Sequence, residues 1–213
     1  MTIKLYEGSV SPNSRKVRLL AAELDIPLDR VTLNFAEREF RSPEYLAKNP
    51  NGKVPTLEEA GAEDDGFVLW ESGAILKYLA SKRPERELIP TDPREQALLD
   101  QWLLWWTAHP EAALYRLTIE RLIKPFRGVR GNDPTIVADA EADLARFLPI
   151  LDGCLQAHDY IAKRLTVVDY AVAPWIEAAR ALHVDLAAYA AIGAWLTRMQ
   201  ARPRWISIDA EGH

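Results

Sequence analysis

Asn49-Pro50-Asn51-Gly52-Lys53-Val54-Pro55-Thr56-Leu57 reads as a turn running into a strand, with a proline at the strand's start. Proline is tolerated there at a strand end, or as a cis bond that turns outward-facing backbone toward a ligand. On the C-terminal side, Val54 to Leu57 and Phe67 to Trp70 suit paired strands across the polar loop Glu58-to-Gly66, and Ile75, Tyr78 and Leu79 share one face of a closing helix. On the N-terminal side, Ile3-Lys4-Leu5-Tyr6 alternates and stops at Gly8, which suggests a first strand. Val17, Leu20, Ala21 and Leu24 then mark a helix ending before Pro27, Arg30 to Phe35 reads as a second strand, and Pro43 to Lys48 as a short helix. The order β-α-β-α-β-β-α predicts a sheet with helices packed on it.

Beyond residue 82 the texture changes. Residues 83–93 are a charged, proline-studded connector, after which glycine thins out and six of the seven tryptophans appear. The pattern predicts helices at about 94–124, 135–160, 167–181 and 186–201. Thr166-Val167-Val168-Asp169 fits a capping box. We therefore expect an α/β domain over 1–82, a linker over 83–93 and an all-helical domain over 94–213.

Composition excludes several classes of function. Residues 1–93 carry 13 basic and 16 acidic side chains and residues 94–213 carry 13 and 15, so neither half has the basic surplus of a nucleic-acid binder. No stretch approaches the ~20 apolar residues of a membrane span, and the N-terminus lacks a secretory pattern. The single cysteine, Cys154, permits neither an internal disulfide nor a multi-cysteine metal site. A reducing cytoplasm is the default compartment, with no nucleic-acid, membrane or metal partner expected.

Three segments could carry chemistry. In Ser9-Val10-Ser11-Pro12-Asn13-Ser14-Arg15, hydroxyls and an amide at a helix N-terminus can bind an anion, or simply cap the helix. The turn that includes Lys53, Val54 and Pro55 is the second. In Trp70-Glu71-Ser72-Gly73-Ala74-Ile75, Ser72 and backbone N–H groups could hold a carboxylate and Glu71 an ammonium; alternatively the acid offsets the helix dipole.

Taken in this order before a helical half, Ser-Pro-Asn-Ser-Arg-Lys-Val-Arg, Asn-Pro-Asn-Gly-Lys-Val-Pro-Thr-Leu, Trp-Glu-Ser-Gly-Ala-Ile-Leu-Lys-Tyr-Leu and the Leu-Thr-Val-Val-Asp-Tyr-Ala capping box resemble the soluble glutathione transferases over essentially the whole chain. The resemblance is to bacterial theta-like and nu-like members. It implies a thioredoxin-like N-terminal domain that binds glutathione as co-substrate, and a helical C-terminal domain that supplies the second-substrate pocket. By the same resemblance Val54 pairs its backbone with the cysteinyl part of glutathione beside a cis-Pro55, Glu71 and Ser72 hold the γ-glutamyl end, and Lys53 contacts the carboxylate end. His-Lys, usual in theta- and phi-like members ahead of the Ser/Glu-Pro segment, is here Phe40-Arg41; Arg41 could still grip the glycyl carboxylate. Gly73 replaces a larger residue often found after Glu-Ser. For the sulfur contact Ser11 matches the serine of theta- and phi-like enzymes, and Asn13 matches the asparagine of nu-like ones. Tyr6 lies inside the first strand.

In the helical half, Trp102, Trp105, Trp106 and His109 form an aromatic stripe of the kind that is more often core than pocket. The resemblance makes Trp105, Trp106, His109 and Tyr115 candidates for the second-substrate pocket. It also implies a homodimer in which Asp100 reaches the partner's glutathione, although a solvated carboxylate is an equal reading. Arg116, Arg121, Lys124, Arg127 and Arg130 form a basic run with few acidic neighbours in sequence, ordinarily a solvated face. Three functions follow: transfer of glutathione to small apolar electrophiles, glutathione-dependent reduction of disulfides or peroxides, and ligand binding without turnover.

Overall fold

The computed structural model describes residues 3–60 and 66–210, the last two by backbone alone. The chain divides into two compact units, Met1–Ile89 with Ala201–His213, and Pro90–Gln200.

In the first unit, strands β1 (Ile3–Glu7), β2 (Leu28–Thr32), β3 (Thr56–Glu59) and β4 (Phe67–Trp70) form one sheet in the order β2-β1-β3-β4. β1 runs parallel to β2 and antiparallel to β3, and β4 is antiparallel to β3. Helices α1 (Pro12–Glu23), α2 (Pro43–Lys48) and α3 (Ser72–Ser81) complete the expected order. The second strand begins at Leu28 rather than Arg30, because pairing with β1 sets its register and not its own β-branched run. β3 starts at Thr56, and Glu58 and Glu59 belong to it rather than to the loop; residues 61–65 of that loop lie outside the described residues. Buried Leu5, Leu20, Leu57, Ile75 and Leu79 form the core where the helices meet the sheet.

The structure adds one helix to this unit that periodicity did not signal, α10 (Pro203–Ala210). It packs on α1, where the Arg15 guanidinium lies 5.4 Å from the centre of the Trp205 ring. Arg202 pairs with Glu23 and Arg204 with Asp25. The tail after Gln200 therefore groups with the α/β unit and not with the helical domain expected over 94–213.

The second unit is all-helical: α4 (Pro93–Ala108), α5 (Pro110–Thr118), a π-helical turn over Ile119–Ile123, α6 (Lys124–Phe126), α7 (Pro134–Ala157), α8 (Val167–Ala179) and α9 (Ala190–Gln200). The helix expected over 94–124 is broken at His109, whose φ of −121° and ψ of −78° are not helical. Pro110 explains the break, since it lacks an N–H and disfavours helical geometry in the residue before it. The capping box at the start of α8 is present, with Thr166 and Asp169 each accepting from the other's backbone. α9 starts four residues later than predicted. Its first N–H groups, of Ala191 and Ile192, donate to Asp152 Oδ1 at 3.0 and 3.1 Å, a cap delivered from α7. We expect Asp152→Ala to lower stability by about 1–2 kcal/mol in urea unfolding, as for other lost caps. Among the described residues no helix is long and apolar enough to cross a membrane, and no group of three or more potential ligands could hold a metal ion.

Candidate functional site

Glu7 ends β1 fully buried and faces two arginines, Arg18 of α1 at 3.3 Å and Arg30 of β2 at 2.6 Å. Arg18 also donates to the carbonyl of Ser9 at 3.1 Å, which ties the β1–α1 loop to the helix behind it. In that loop the Gly8 N–H donates to Ser14 Oγ at 3.2 Å. A side chain at Gly8 would come within 2.7 Å of Phe35 and 3.4 Å of Val54, so glycine here lets the loop pass close to Val54.

Ser11 is the N-cap of α1, and its Oγ accepts from the Ser14 N–H at 3.3 Å. A hydroxyl that accepts in this way still has its own proton to donate. Asn13 lies two residues further on and accepts from Ser72 Oγ at 3.4 Å; Ser72 Oγ in turn accepts from Lys16 Nζ at 3.4 Å. Asn13, Lys16 and Ser72 thus meet where the N-termini of α1 and α3 come together.

Glu71 precedes α3 with φ 72° and ψ 112°, a region that non-glycine residues rarely occupy and that costs roughly 1–3 kcal/mol. Its carboxylate makes no capping bond, is exposed, and has no hydrogen-bond or ion-pair partner among the described residues. Strain of this kind persists only where the surrounding structure enforces it, and it clusters at ligand sites.

The Val54–Pro55 bond is cis. The turn before it is held by a buried polar network that the sequence reading did not single out. Asn49, 2% exposed, donates to the Lys53 carbonyl at 2.8 Å and to Thr56 Oγ1 at 3.0 Å, while its Oδ1 accepts two bonds from Asn51. The Tyr45 hydroxyl donates to the same Lys53 carbonyl at 2.5 Å and stands 2.8 Å from Thr56 Oγ1. Gly52 has φ +57°, and a Cβ there would lie 2.8 Å from both the Phe40 carbonyl and the Arg41 guanidinium. Arg41 accordingly borders the Gly52-Lys53 turn, while Phe40 is buried and packs on Phe35 with ring centres 5.0 Å apart.

Tyr6 cannot serve as a hydroxyl donor to a thiol here. It donates to Glu58 at 2.6 Å, and burial, together with that carboxylate, pushes its phenol further up from the usual value.

Within the helical unit α4, α5 and α7 line a cavity of about 660 Å3. Trp105, His109 and Tyr115 are on its wall, and so are Arg146 and Phe147 of α7. His109 stacks on Phe147 at 5.0 Å. Trp106, the remaining candidate for a second-substrate pocket, is not on this wall and is completely buried in the core. Adjacent residues on a helix point about 100° apart, so Trp105 and Trp106 do not serve one wall together. Asp100 is half-buried on α4. Three of the five residues of the basic run are paired: Arg116 with Asp143, Arg121 with Glu141, and Lys124 with Glu120 at 2.6 Å. The first two acids belong to α7, too distant in sequence for the run itself to reveal them.

A mixed four-stranded thioredoxin-like unit followed by an all-helical unit is the glutathione transferase fold. The family model for the glutathione S-transferase N-terminal domain matches residues 1–81, and that for the C-terminal domain matches residues 111–203. Glutathione S-transferase hmp2 of Hypomyces subiculosus is 32% identical, with 99% of each chain covered. The disulfide-bond oxidoreductase YfcG of Escherichia coli (strain K12) is 30% identical over 91% of this chain and 88% of its own. The crystal structure of the glutathione transferase URE2P6 from Phanerochaete chrysosporium, in complex with oxidized glutathione, aligns with a TM-score of 0.86 at 25% identity, covering 99% of this chain and 96% of that one. The chain belongs to the glutathione S-transferase family.

Proposed function

We propose that the protein binds glutathione and activates its thiol for attack on small apolar electrophiles. The observation that carries this reading is the grouping of unlike groups in the α/β unit: the Ser11 hydroxyl and Asn13 amide at the α1 N-terminus, the backbone of Val54 before cis-Pro55, and a strained Glu71, without a partner among the described residues, beside Ser72. Glutathione carries one ammonium and two carboxylates, and needs one acid and several donors held together. Glu71 takes the ammonium, Ser72 and backbone N–H groups the γ-glutamyl carboxylate, Val54 the cysteinyl backbone, and Lys53 with Arg41 the glycyl carboxylate. Trp105, His109 and Tyr115 line the second-substrate pocket, whose size falls within the ~300–1,000 Å3 usual for small-molecule sites. We assign the protein to the cytoplasm as a homodimer in which Asp100 assists the partner's site.

The nucleophile is glutathione's own sulfur. A thiol of pKa ~8.5 is only about 3% ionised at pH 7. A hydrogen bond to the thiolate, aided by the α1 N-terminus, could lower that value to ~6.5 and raise the ionised fraction about 25-fold. The less basic thiolate would lose roughly 8-fold in nucleophilicity, so the net gain is a few-fold. Most of the rate must come from holding the electrophile against the sulfur.

Theta-like chemistry through Ser11 is the reading we favour. Ser11→Ala should raise the pKa of the bound thiol by about one to two units, and conjugation should fall far more at pH 6.5 than at pH 9. Asn13→Ala should shift that pKa less, since Asn13 bonds to Ser72 and the cap of α1 is Ser11. Ultraviolet titration of the thiolate decides; a shift with Asn13→Ala and none with Ser11→Ala would make the site nu-like. The 30% identity to a disulfide-bond oxidoreductase favours a second reading, glutathione-dependent reduction of disulfides or peroxides. Assays with aryl halides, epoxides, a hydroperoxide and a mixed disulfide separate the two. Glutathione binding with no turnover in any assay would leave a binding protein.

A further inference from the structure

Lys16, the lysine of α1, is 1% exposed. Burial strips it of water, a cost that is offset only by hydrogen bonds in the interior. One of those bonds goes to Ser72 Oγ at 3.4 Å, and Ser72 Oγ then donates to Asn13 Oδ1 at 3.4 Å. Asn13 and Lys16 stand three residues apart on α1, so both face the N-terminus of α3. A serine hydroxyl has two lone pairs and one proton. The ammonium engages a lone pair, which leaves the proton as what Ser72 offers a ligand. That proton rests on an amide oxygen at a distance well beyond the usual ~2.7–2.8 Å of an O–H···O bond. A carboxylate, as a charged acceptor, outcompetes an amide oxygen held that far away.

We propose that Lys16 is a positioning residue for glutathione recognition, acting through Ser72 to present a hydroxyl proton to the γ-glutamyl α-carboxylate. This rests on the reading of Glu71-Ser72 as the γ-glutamyl subsite. Lys16 is too deeply buried to touch the ligand itself; it orients and polarises Ser72, since each donor in a hydrogen-bonded chain strengthens the next. Asn13 holds the proton in the unliganded site and gives it up on binding.

The test compares glutathione with γ-aminobutyryl-cysteinyl-glycine, which differs only in lacking the α-carboxylate. Calorimetry on the parent should show a preference for glutathione of about tenfold or more, the value of one hydrogen bond to a charged group. Lys16→Met should cut that preference to about threefold or less while leaving affinity for the analogue within about twofold. Ser72→Ala should do the same, and adding Lys16→Met to Ser72→Ala should remove nothing more. Lys16→Gln, which keeps a donor without the charge, should fall between parent and Lys16→Met, and it substitutes for the methionine variant should that fail to fold. An undiminished preference in both Lys16 variants overturns the role. So does a further loss in the double variant, which would mean that Lys16 acts otherwise than through Ser72. A parent that binds neither ligand overturns the subsite reading itself, a result distinct from either of these.

Discussion

Asp169→Ala should cost the protein about 4 kcal/mol or more, a large part of the roughly 5–15 kcal/mol that holds a domain of this kind folded. Asp169 is 0% exposed and its two oxygens serve four donors from three parts of the helical unit. Oδ1 accepts from the Ile161 N–H at 3.2 Å and the Trp195 indole at 3.0 Å; Oδ2 accepts from the Thr166 N–H at 2.9 Å and its hydroxyl at 3.5 Å. Alanine would leave those buried donors without an acceptor, at about 1–3 kcal/mol each for the better-made bonds. Asp169→Asn should cost nearly as much, because its amide nitrogen would face donors. Urea unfolding measures both, and a loss under about 1 kcal/mol would show that water replaces the carboxylate.

The same residue gives a pH signature. Burial pushes the Asp169 carboxyl up to about 6 from an ordinary value of 3.8, even though hydrogen bonds from Thr166, Ile161 and Trp195 pull the other way. A carboxyl raised on folding binds its proton more tightly in the folded chain. Its contribution to stability is therefore full below the unfolded value and is lost as the pH rises through the folded one. The stability gap between the parent and Asp169→Asn should narrow between about pH 4 and pH 6.

The second large effect concerns ligand affinity. Replacing Glu71 with glutamine should weaken glutathione binding about 10- to 150-fold, the loss of one hydrogen bond to an ammonium. The change keeps the side chain's size and the backbone's φ of 72°, so stability should hardly move. Glu71 has no partner among the described residues that the substitution would strand. Calorimetry on the two proteins measures the effect, and an unchanged dissociation constant would put the γ-glutamyl ammonium elsewhere.

The sequence alone determined the order of elements over residues 1–82, the turn before Pro55, the start of α3 and the capping box of α8. Each of these depends on a few adjacent residues, Pro55 before Thr56, Glu71-Ser72 at a helix start, Thr166 three residues from Asp169, and local conformational preference is written in such short runs. What tertiary structure decided are contacts between residues far apart in the chain. Asp152 caps a helix that begins 38 residues later, Ser72 joins Lys16 and Asn13 across 56 and 59 residues, and α10 leaves the helical half to pack on α1. Trp105 and Trp106 divide between cavity wall and core for the same reason. Periodicity states that a face is apolar, but the side chains of other segments decide whether that face meets a packed interior or open space.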